Sequence, residues 1–203
     1  MKALLSTTYF GPVQWYQKLY RHEEVEIEQW ESFQKQTYRN RCLIATTQGI
    51  QALTVPVERR EGQKEGTIRD VRISDHGNWR HLHWNALVSA YGESPFFEYY
   101  QDDIWPFFEK RWESLFDFNE AIREKMCELL DIQPKVSSTI NYKQSTINEI
   151  DFRSAINPKH PLPDSDFEPK PYYQVYQQKH GFLPNLSILD LLFNMGPEGI
   201  FYL

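Results

Sequence analysis

The stretch that decides the fold is the start of the chain, MKALLSTTYFGPVQWYQKLYRHEEVEIEQ (residues 1–29). Residues 3–8 have the length and apolar start of a buried strand, and Gly11-Pro12 interrupts them before a helix begins. Residues 13–20 carry apolar side chains at helical spacing, and residues 23–29 alternate valine and isoleucine with glutamate, as a half-exposed strand does. The order strand, helix, strand predicts an α/β domain.

The remainder of the chain continues this mixture of strands and helices. The turn residues Gln48-Gly49 separate two segments with strand patterns, which predicts a hairpin. The predicted strands after residue 29 are residues 39–46, 50–57, 70–74, 135–140 and 172–178. The predicted helices after residue 20 are residues 78–91, 95–110, 114–129 and 187–195.

These elements predict one α/β domain over residues 1–203, in which a mixed sheet is flanked by helices, with an α+β arrangement as the alternative. Two of the segments between the predicted elements have a distinct composition. Residues 58–67 are charged and contain two glycines, which is typical of an exposed loop. Residues 141–170 are rich in proline, and we expect an irregular segment on the surface.

The composition excludes several classes of protein. The 203 residues include 13 Phe, 12 Tyr and 6 Trp, and so much aromatic surface must be buried, which excludes a disordered chain. The net charge of −6 argues against a nucleic-acid partner, and the absence of any run of about 18 apolar residues argues against membrane insertion. The start of the chain lacks the apolar core of a signal peptide, and two cysteines are too few for a disulfide scaffold. We therefore expect a cytoplasmic protein, whose oligomeric state the sequence leaves open.

The common motifs for metals and nucleotides do not occur in the sequence. There is no HExxH, no cluster of cysteine and histidine and no acidic calcium loop, so we expect no metal site. The glycine-rich phosphate loops are missing too, so the sequence leaves the cofactor unknown.

Three groups of residues have side chains with the chemistry that a binding or catalytic site requires. Arg39, Asn40 and Arg41 form a cluster of donors suited to carboxylate or phosphate, with a solvated strand end as the alternative. His83 lies on the apolar stripe of a predicted helix, where it is either a core histidine or a buried general base. The aromatic residues in 91–118 are either a platform for sugar rings or part of the core.

Several strings in the chain resemble the WbqC-like family. They are Asn40-Arg41 with residues 51–57 (QALTVPV), Trp79-Arg80, His83-Trp84, residues 90–92 (AYG), residues 95–97 (PFF), and residues 182–194 with Gly196-Pro197-Glu198. Their order and spacing match from the N-terminus to about residue 132 and again from about residue 176 to the end.

The resemblance implies a role in making or modifying a sugar precursor. WbqC-like proteins are known mainly from bacterial gene clusters for O-antigen and other surface polysaccharides. This implies a cytoplasmic step on a sugar precursor, such as acyl or aminoacyl transfer to an amino sugar. The family's usual His-Gln-Pro-Tyr-Phe after the first strand is Ser-Thr-Thr-Tyr-Phe here, so Ser6 stands at the position of its histidine. The chain is thus expected either to use another group or to have lost the reaction.

The leading hypothesis from the sequence is a transferase that acts on a sugar or a sugar nucleotide. His83 is its expected proton-transfer residue. The residues expected to bind the substrate, some of them where α/β folds place ligands, are Ser6, Thr7, Tyr9, Asn40 and Arg41. The competing hypothesis is a non-catalytic binding or assembly protein of a polysaccharide pathway.

Overall fold

The strand that begins the chain lies inside a parallel sheet. The computed structural model describes residues 1–58, 66–144 and 148–203. Its strands are β1 (Lys2–Ser6), β2 (Glu24–Glu28), β3 (Arg41–Thr46), β4 (Gly49–Thr54), β5 (Val136–Ser138) and β6 (Glu149–Asp151). Its α-helices are α1 (Val13–Arg21), α2 (Trp79–Tyr91), α3 (Phe97–Ile104), α4 (Pro106–Glu109), α5 (Leu115–Leu129), α6 (Gln177–His180) and α7 (Ile188–Met195). Short 3₁₀ helices cover Ile68–Asp70, His76–Asn78 and Gly196–Tyr202.

The strands form two separate sheets. One is parallel in the order β5-β2-β1-β6, and the other is the antiparallel hairpin of β3 and β4. The predicted α/β class is confirmed, because helices flank strands of both pairings. The two kinds of pairing occur in different sheets, whereas the sequence predicted one mixed sheet. The crossover from β1 to β2 runs through α1, as a parallel connection requires.

The parallel sheet has a topological switch point beside β1. The chain places β2 on one side of β1 and β5 beyond β2, and then crosses back to place β6 on the other side of β1. The carboxyl ends of these four strands therefore share one edge of the sheet. In open α/β sheets this edge, at the point where the connections diverge, is where ligands bind.

Aromatic side chains fill much of the core. Phe10 packs edge-on against Phe107, with 6.0 Å between the ring centroids, and it stacks on Phe108 at 6.1 Å. Most of the aromatic residues in 91–118 are buried in the same cluster. Tyr99 is an exception, with 74% of its surface exposed. The aromatic excess is therefore mainly a property of the core. No helix in the described ranges is long and apolar enough to cross a membrane.

Three predicted segments differ from the structure. Residues 141–170 contain β6, a strand of three residues whose pairing with β1 has no local periodic signal. Residues 172–174 are in turn buried, exposed and buried, yet residues 172–178 form no strand in the described chain. The buried side chains of Tyr172 and Gln174 bond to Asp190, and residues 177–178 begin α6. Residues 70–74 make only isolated bridges. Most of the predicted loop at 58–67, and residues 145–147 of the irregular segment, lie outside the described residues.

A buried ion pair fastens the 141–170 segment to α1. The Lys18 Nζ atom lies 2.8 Å from an oxygen of Asp164, and their side chains are 1% and 5% exposed. Gln14 donates a second hydrogen bond of 2.8 Å to the same carboxylate. Lys18 also lies over the ring of Phe152, 4.4 Å from its centroid. These contacts hold one wall of the site described below.

We predict that Lys18→Met lowers the free energy of unfolding by about 3 kcal/mol, because it leaves the Asp164 carboxylate without its buried cation. The matched control is Lys125→Met, which removes more exposed ion pairs with Glu128 and Asp103 and costs at most about 0.5 kcal/mol. Urea unfolding followed by circular dichroism measures both. Equal losses in the two variants would contradict the stabilising role of the buried pair.

Candidate functional site

An open crevice of about 740 Å³ lies beyond the carboxyl ends of β2 and β6. Two guanidinium groups and two carboxylates line it, together with exposed aromatic side chains. The four charged residues are Glu31, Arg39, Asp151 and Arg153. This is the edge of the parallel sheet at which the strand order predicts a ligand site.

Arg39 joins the end of β1 to the segment that follows β2. Its Nε donates to Glu31 Oε1 at 2.9 Å and its Nη2 donates to Glu31 Oε2 at 2.6 Å, which is a two-point planar pair. The same Nη2 donates to Ser6 Oγ at 2.8 Å. Because all three side chains are largely buried, this network fixes the shape of the crevice next to the end of β1.

Arg153 forms the second planar pair. Its Nε and Nη2 donate to the two oxygens of Asp151 at 2.9 and 2.6 Å, and its Nη1 lies 3.7 Å from the buried carboxylate of Glu28. Burial opposes the charge on Asp151, but hydrogen bonds from Arg153 outweigh it and hold the pKa of this carboxyl below its ordinary value. Both partners therefore stay charged at neutral pH.

A smaller inner cavity lies next to the crevice, at the end of β1. Thr7 and Thr8 line it, and Arg39 and Arg153 belong to the walls of both cavities. Its volume is about 10 Å³, which is room for about one water molecule. The hydroxyl oxygens of Thr7 and Thr8 are buried and have no hydrogen-bond partner within the described chain.

The loop from β1 to α1, which carries both threonines, has little conformational freedom. Phe10 has a φ of +40°, a left-handed conformation that costs free energy in any residue with a Cβ. A Cβ on Gly11 would fall 2.3 Å from Thr8 Oγ1, so only glycine fits there without a shift. Strain of this kind is concentrated at functional sites in proteins.

Tyr9 and His83 meet in the core, and neither lines the crevice or the inner cavity. The Tyr9 hydroxyl lies 2.8 Å from His83 Nδ1. Burial lowers the pKa of His83 to about 4, although a hydrogen bond with the backbone of Thr54 opposes this shift. His83 is therefore neutral at physiological pH, and we assign its proton to Nε2, so that Nδ1 accepts from Tyr9.

Asn40 and Arg41 lie along the hairpin. The Asn40 side chain donates to the Val55 carbonyl at 2.8 Å, and the Asn40 carbonyl accepts from the Val55 amide at 2.8 Å. Arg41 is half-buried, and its Nε donates to Thr54 Oγ1 at 3.0 Å. Both side chains hold the start of β3 to the end of β4.

The structure thus divides the predicted site residues into three groups. Ser6 and Thr7 line the inner cavity; Tyr9 and His83 lie together in the core; Asn40 and Arg41 lie on the hairpin. The sequence analysis missed the crevice residues Glu31, Asp151 and Arg153, and it placed ligand binding on Arg41 rather than Arg39. The one available signal was that Arg39 stands in the same cluster of donors. The described residues contain no group of three or more His, Cys, Asp and Glu side chains that could hold a metal ion.

We predict a specific pH dependence for His83. Its folded-state pKa of about 4 lies below the ordinary 6.5, so the unfolded chain binds the proton more tightly, and stability falls as the pH drops from about 6.5 towards 4. The loss attributable to this residue is about 3 kcal/mol. The measurement is the difference in unfolding free energy between wild type and His83→Gln across this range. A difference that does not change with pH would contradict the buried neutral state.

Comparison with known proteins identifies the family. The profile of the WbqC-like protein family matches residues 7–159 and 165–202. The chain is 28% identical over 194 residues to "Uncharacterized protein Rv1507c" of Mycobacterium tuberculosis, a match that covers 84% of this chain and 83% of that protein. No solved structure is a significant match. Since the profile covers nearly the whole sequence, the chain belongs to the WbqC-like protein family.

Proposed function

We propose that this protein binds a sugar or a sugar nucleotide in the crevice and transfers a group to it, as a cytoplasmic step in making surface polysaccharide precursors. The observation that carries the proposal is the crevice itself: two arginine–carboxylate pairs lie at the ligand edge of an α/β sheet, beneath exposed aromatic rings. The pathway is proposed from the family resemblance alone.

The charges in the crevice suit a polyhydroxylated ligand. Arg39 is paired with Glu31, and Arg153 with Asp151, so the formal charges of these four residues cancel. Planar guanidinium and carboxylate groups present donors and acceptors side by side, and a sugar hydroxyl is both a donor and an acceptor. A sugar ring therefore fits the floor of the crevice better than a bare polyphosphate does.

The rim of the crevice offers aromatic faces. Trp30 and Tyr142 line it and are 36% and 58% exposed. The Trp30 ring is held by a hydrogen bond of 2.9 Å from its Nε1 to the Thr139 carbonyl. Aromatic rings stack on the C–H face of a sugar or on a nucleobase, so Trp30 is our first candidate for that contact.

In this proposal the residues predicted from the sequence have two roles. Ser6 and Thr7 contact the ligand from the inner cavity. The others support that contact, because Tyr9 continues the loop of Thr7, and Asn40 and Arg41 directly follow Arg39. His83 holds Tyr9 in place.

Group transfer requires a proton acceptor at the ligand. His160 lines the crevice and belongs to neither of the two arginine–carboxylate pairs. In transfer to an amino sugar, the amine nitrogen attacks the acyl carbon of a thioester donor, an amide bond forms and the carbon–sulfur bond breaks. The nitrogen loses its proton to His160, which returns it to the departing sulfur.

A non-catalytic binding protein is the second candidate function. It is favoured by the pairing of Glu31 and Asp151 with arginines, which leaves neither carboxylate free to act as a base, and by Ser6 accepting from Arg39. Mass spectrometry of an amino sugar incubated with the protein and acetyl-coenzyme A separates the two functions. An acetylated product supports the transferase, and an unchanged but bound sugar supports the binding protein.

We predict that calorimetry detects binding of UDP-N-acetylglucosamine to the wild type, and that Trp30→Ala weakens it about fivefold or more, or by about 1 kcal/mol. The control is Tyr99→Ala, which removes an exposed aromatic ring outside the crevice and leaves the affinity unchanged. Equal losses in the two variants, or no binding of UDP-N-acetylglucosamine or free N-acetylglucosamine at millimolar concentration, would refute the proposal.

A further inference from the structure

The inner cavity is a compartment of its own behind the crevice. It is closed on one side by the end of β1 and on another by Phe152 and Ile156, which follow β6. Arg39 and Arg153 stand between it and the crevice, since both residues line both spaces. A ligand in the crevice therefore reaches the inner cavity past these two side chains.

The hydroxyls around this cavity lack partners. Thr7 is completely buried and Thr8 is 4% exposed, and no hydrogen bond to either hydroxyl oxygen exists in the described part of the protein. Buried polar groups in folded proteins almost always have a partner. Thr8 Oγ1 lies close to Gly11, and Thr7 directly follows β1 and lines the cavity. A ligand atom inside the cavity would therefore be within reach to supply the partner that the Thr7 hydroxyl lacks.

The size and charge of the cavity restrict what that atom is. About 10 Å³ admits one oxygen atom and excludes a phosphate group, which carries four. The neighbouring guanidinium groups are already paired with Glu31 and Asp151, so little net positive charge remains for an anion. A single uncharged oxygen meets both conditions.

We propose that the inner cavity is a subsite for one hydroxyl group of the sugar bound in the crevice, and that Thr7 selects for that hydroxyl. The proposal rests on the proposed sugar-binding function and adds the substrate class, a sugar with a free hydroxyl that enters the cavity. A sugar that lacks this hydroxyl leaves the threonine unpaired and is rejected.

The experiment uses Thr7→Val, which has nearly the same shape but no hydroxyl, and Thr7→Ser, which keeps the hydroxyl. The probes are N-acetylglucosamine and its 3-, 4- and 6-deoxy analogues, with affinities from calorimetry. In the wild type, one deoxy analogue binds at least about tenfold more weakly than the parent sugar. Thr7→Val binds the parent sugar about tenfold more weakly and no longer distinguishes it from that analogue, whereas Thr7→Ser keeps the distinction.

Thermal unfolding gives a second readout that needs no sugar. Because the Thr7 hydroxyl has no protein partner, Thr7→Val leaves the midpoint unchanged or raises it. The control is Thr46→Val, which removes a hydroxyl that donates to the Gly49 carbonyl at 2.9 Å and therefore lowers the midpoint.

The outcomes separate this inference from the proposed function. If the wild type binds the sugar but Thr7→Val binds it equally and keeps the same deoxy preference, the subsite is refuted while the function stands. If Thr7→Val lowers the melting midpoint as much as Thr46→Val does, the cavity holds a permanent structural water, and the subsite is again refuted. If the wild type binds none of the sugars, both fail together.

Discussion

The position of β1, hydrogen-bonded on both sides by parallel strands, is the constraint on which the rest of the structure depends. Its residues Ala3, Leu4 and Leu5 are completely buried, between β2 on one side and β6 on the other. A parallel neighbour on each side obliges the chain to cross over the sheet in both directions. The carboxyl end of β1 therefore opens at the switch point, which is the position where open α/β sheets place their ligands.

The polar residues at this edge show how charge is accommodated near the core. Four charged side chains come together at the crevice, and each cation is matched by a carboxylate in a planar, two-point arrangement. Such pairs are costly to break, because removing one member leaves the other charge without compensation. They supply a rigid surface with little net charge, which suits recognition of hydroxyl groups more than capture of a highly charged ligand.

The sequence predicted those parts of the fold that have a local signal. The β1–α1–β2 unit has clear apolar periodicity. The rule for ligand sites in α/β folds led to Ser6, Thr7 and Tyr9, of which Ser6 and Thr7 line the inner cavity while Tyr9 is buried in the core. β6 was not predictable, because it is only three residues long and forms through its pairing with β1, which leaves no local pattern in the sequence. Arg153 follows that strand, so it was missed with it.

His83 and the cluster of Arg39, Asn40 and Arg41 show a second limit on what could be predicted from the sequence. The apolar stripe was compatible with both a core histidine and a general base, and only the surroundings of the side chain, with Trp79 at 5.1 Å between ring centroids, place it in the core. Arg39 and Arg41 are two residues apart, and the sequence did not tell which of them reaches the sheet. The answer depends on the hairpin, which holds Arg41 against Thr54 and leaves Arg39 to meet Ser6.

A crystal structure of the protein soaked with UDP-N-acetylglucosamine tests the central claim most directly. We expect density for the sugar in the crevice, with its ring against Trp30, hydrogen bonds to Arg153 or Asp151, and one hydroxyl oxygen within hydrogen-bond distance of Thr7. Density for the sugar beside Arg41 on the hairpin, with the crevice filled only by solvent, would contradict the account.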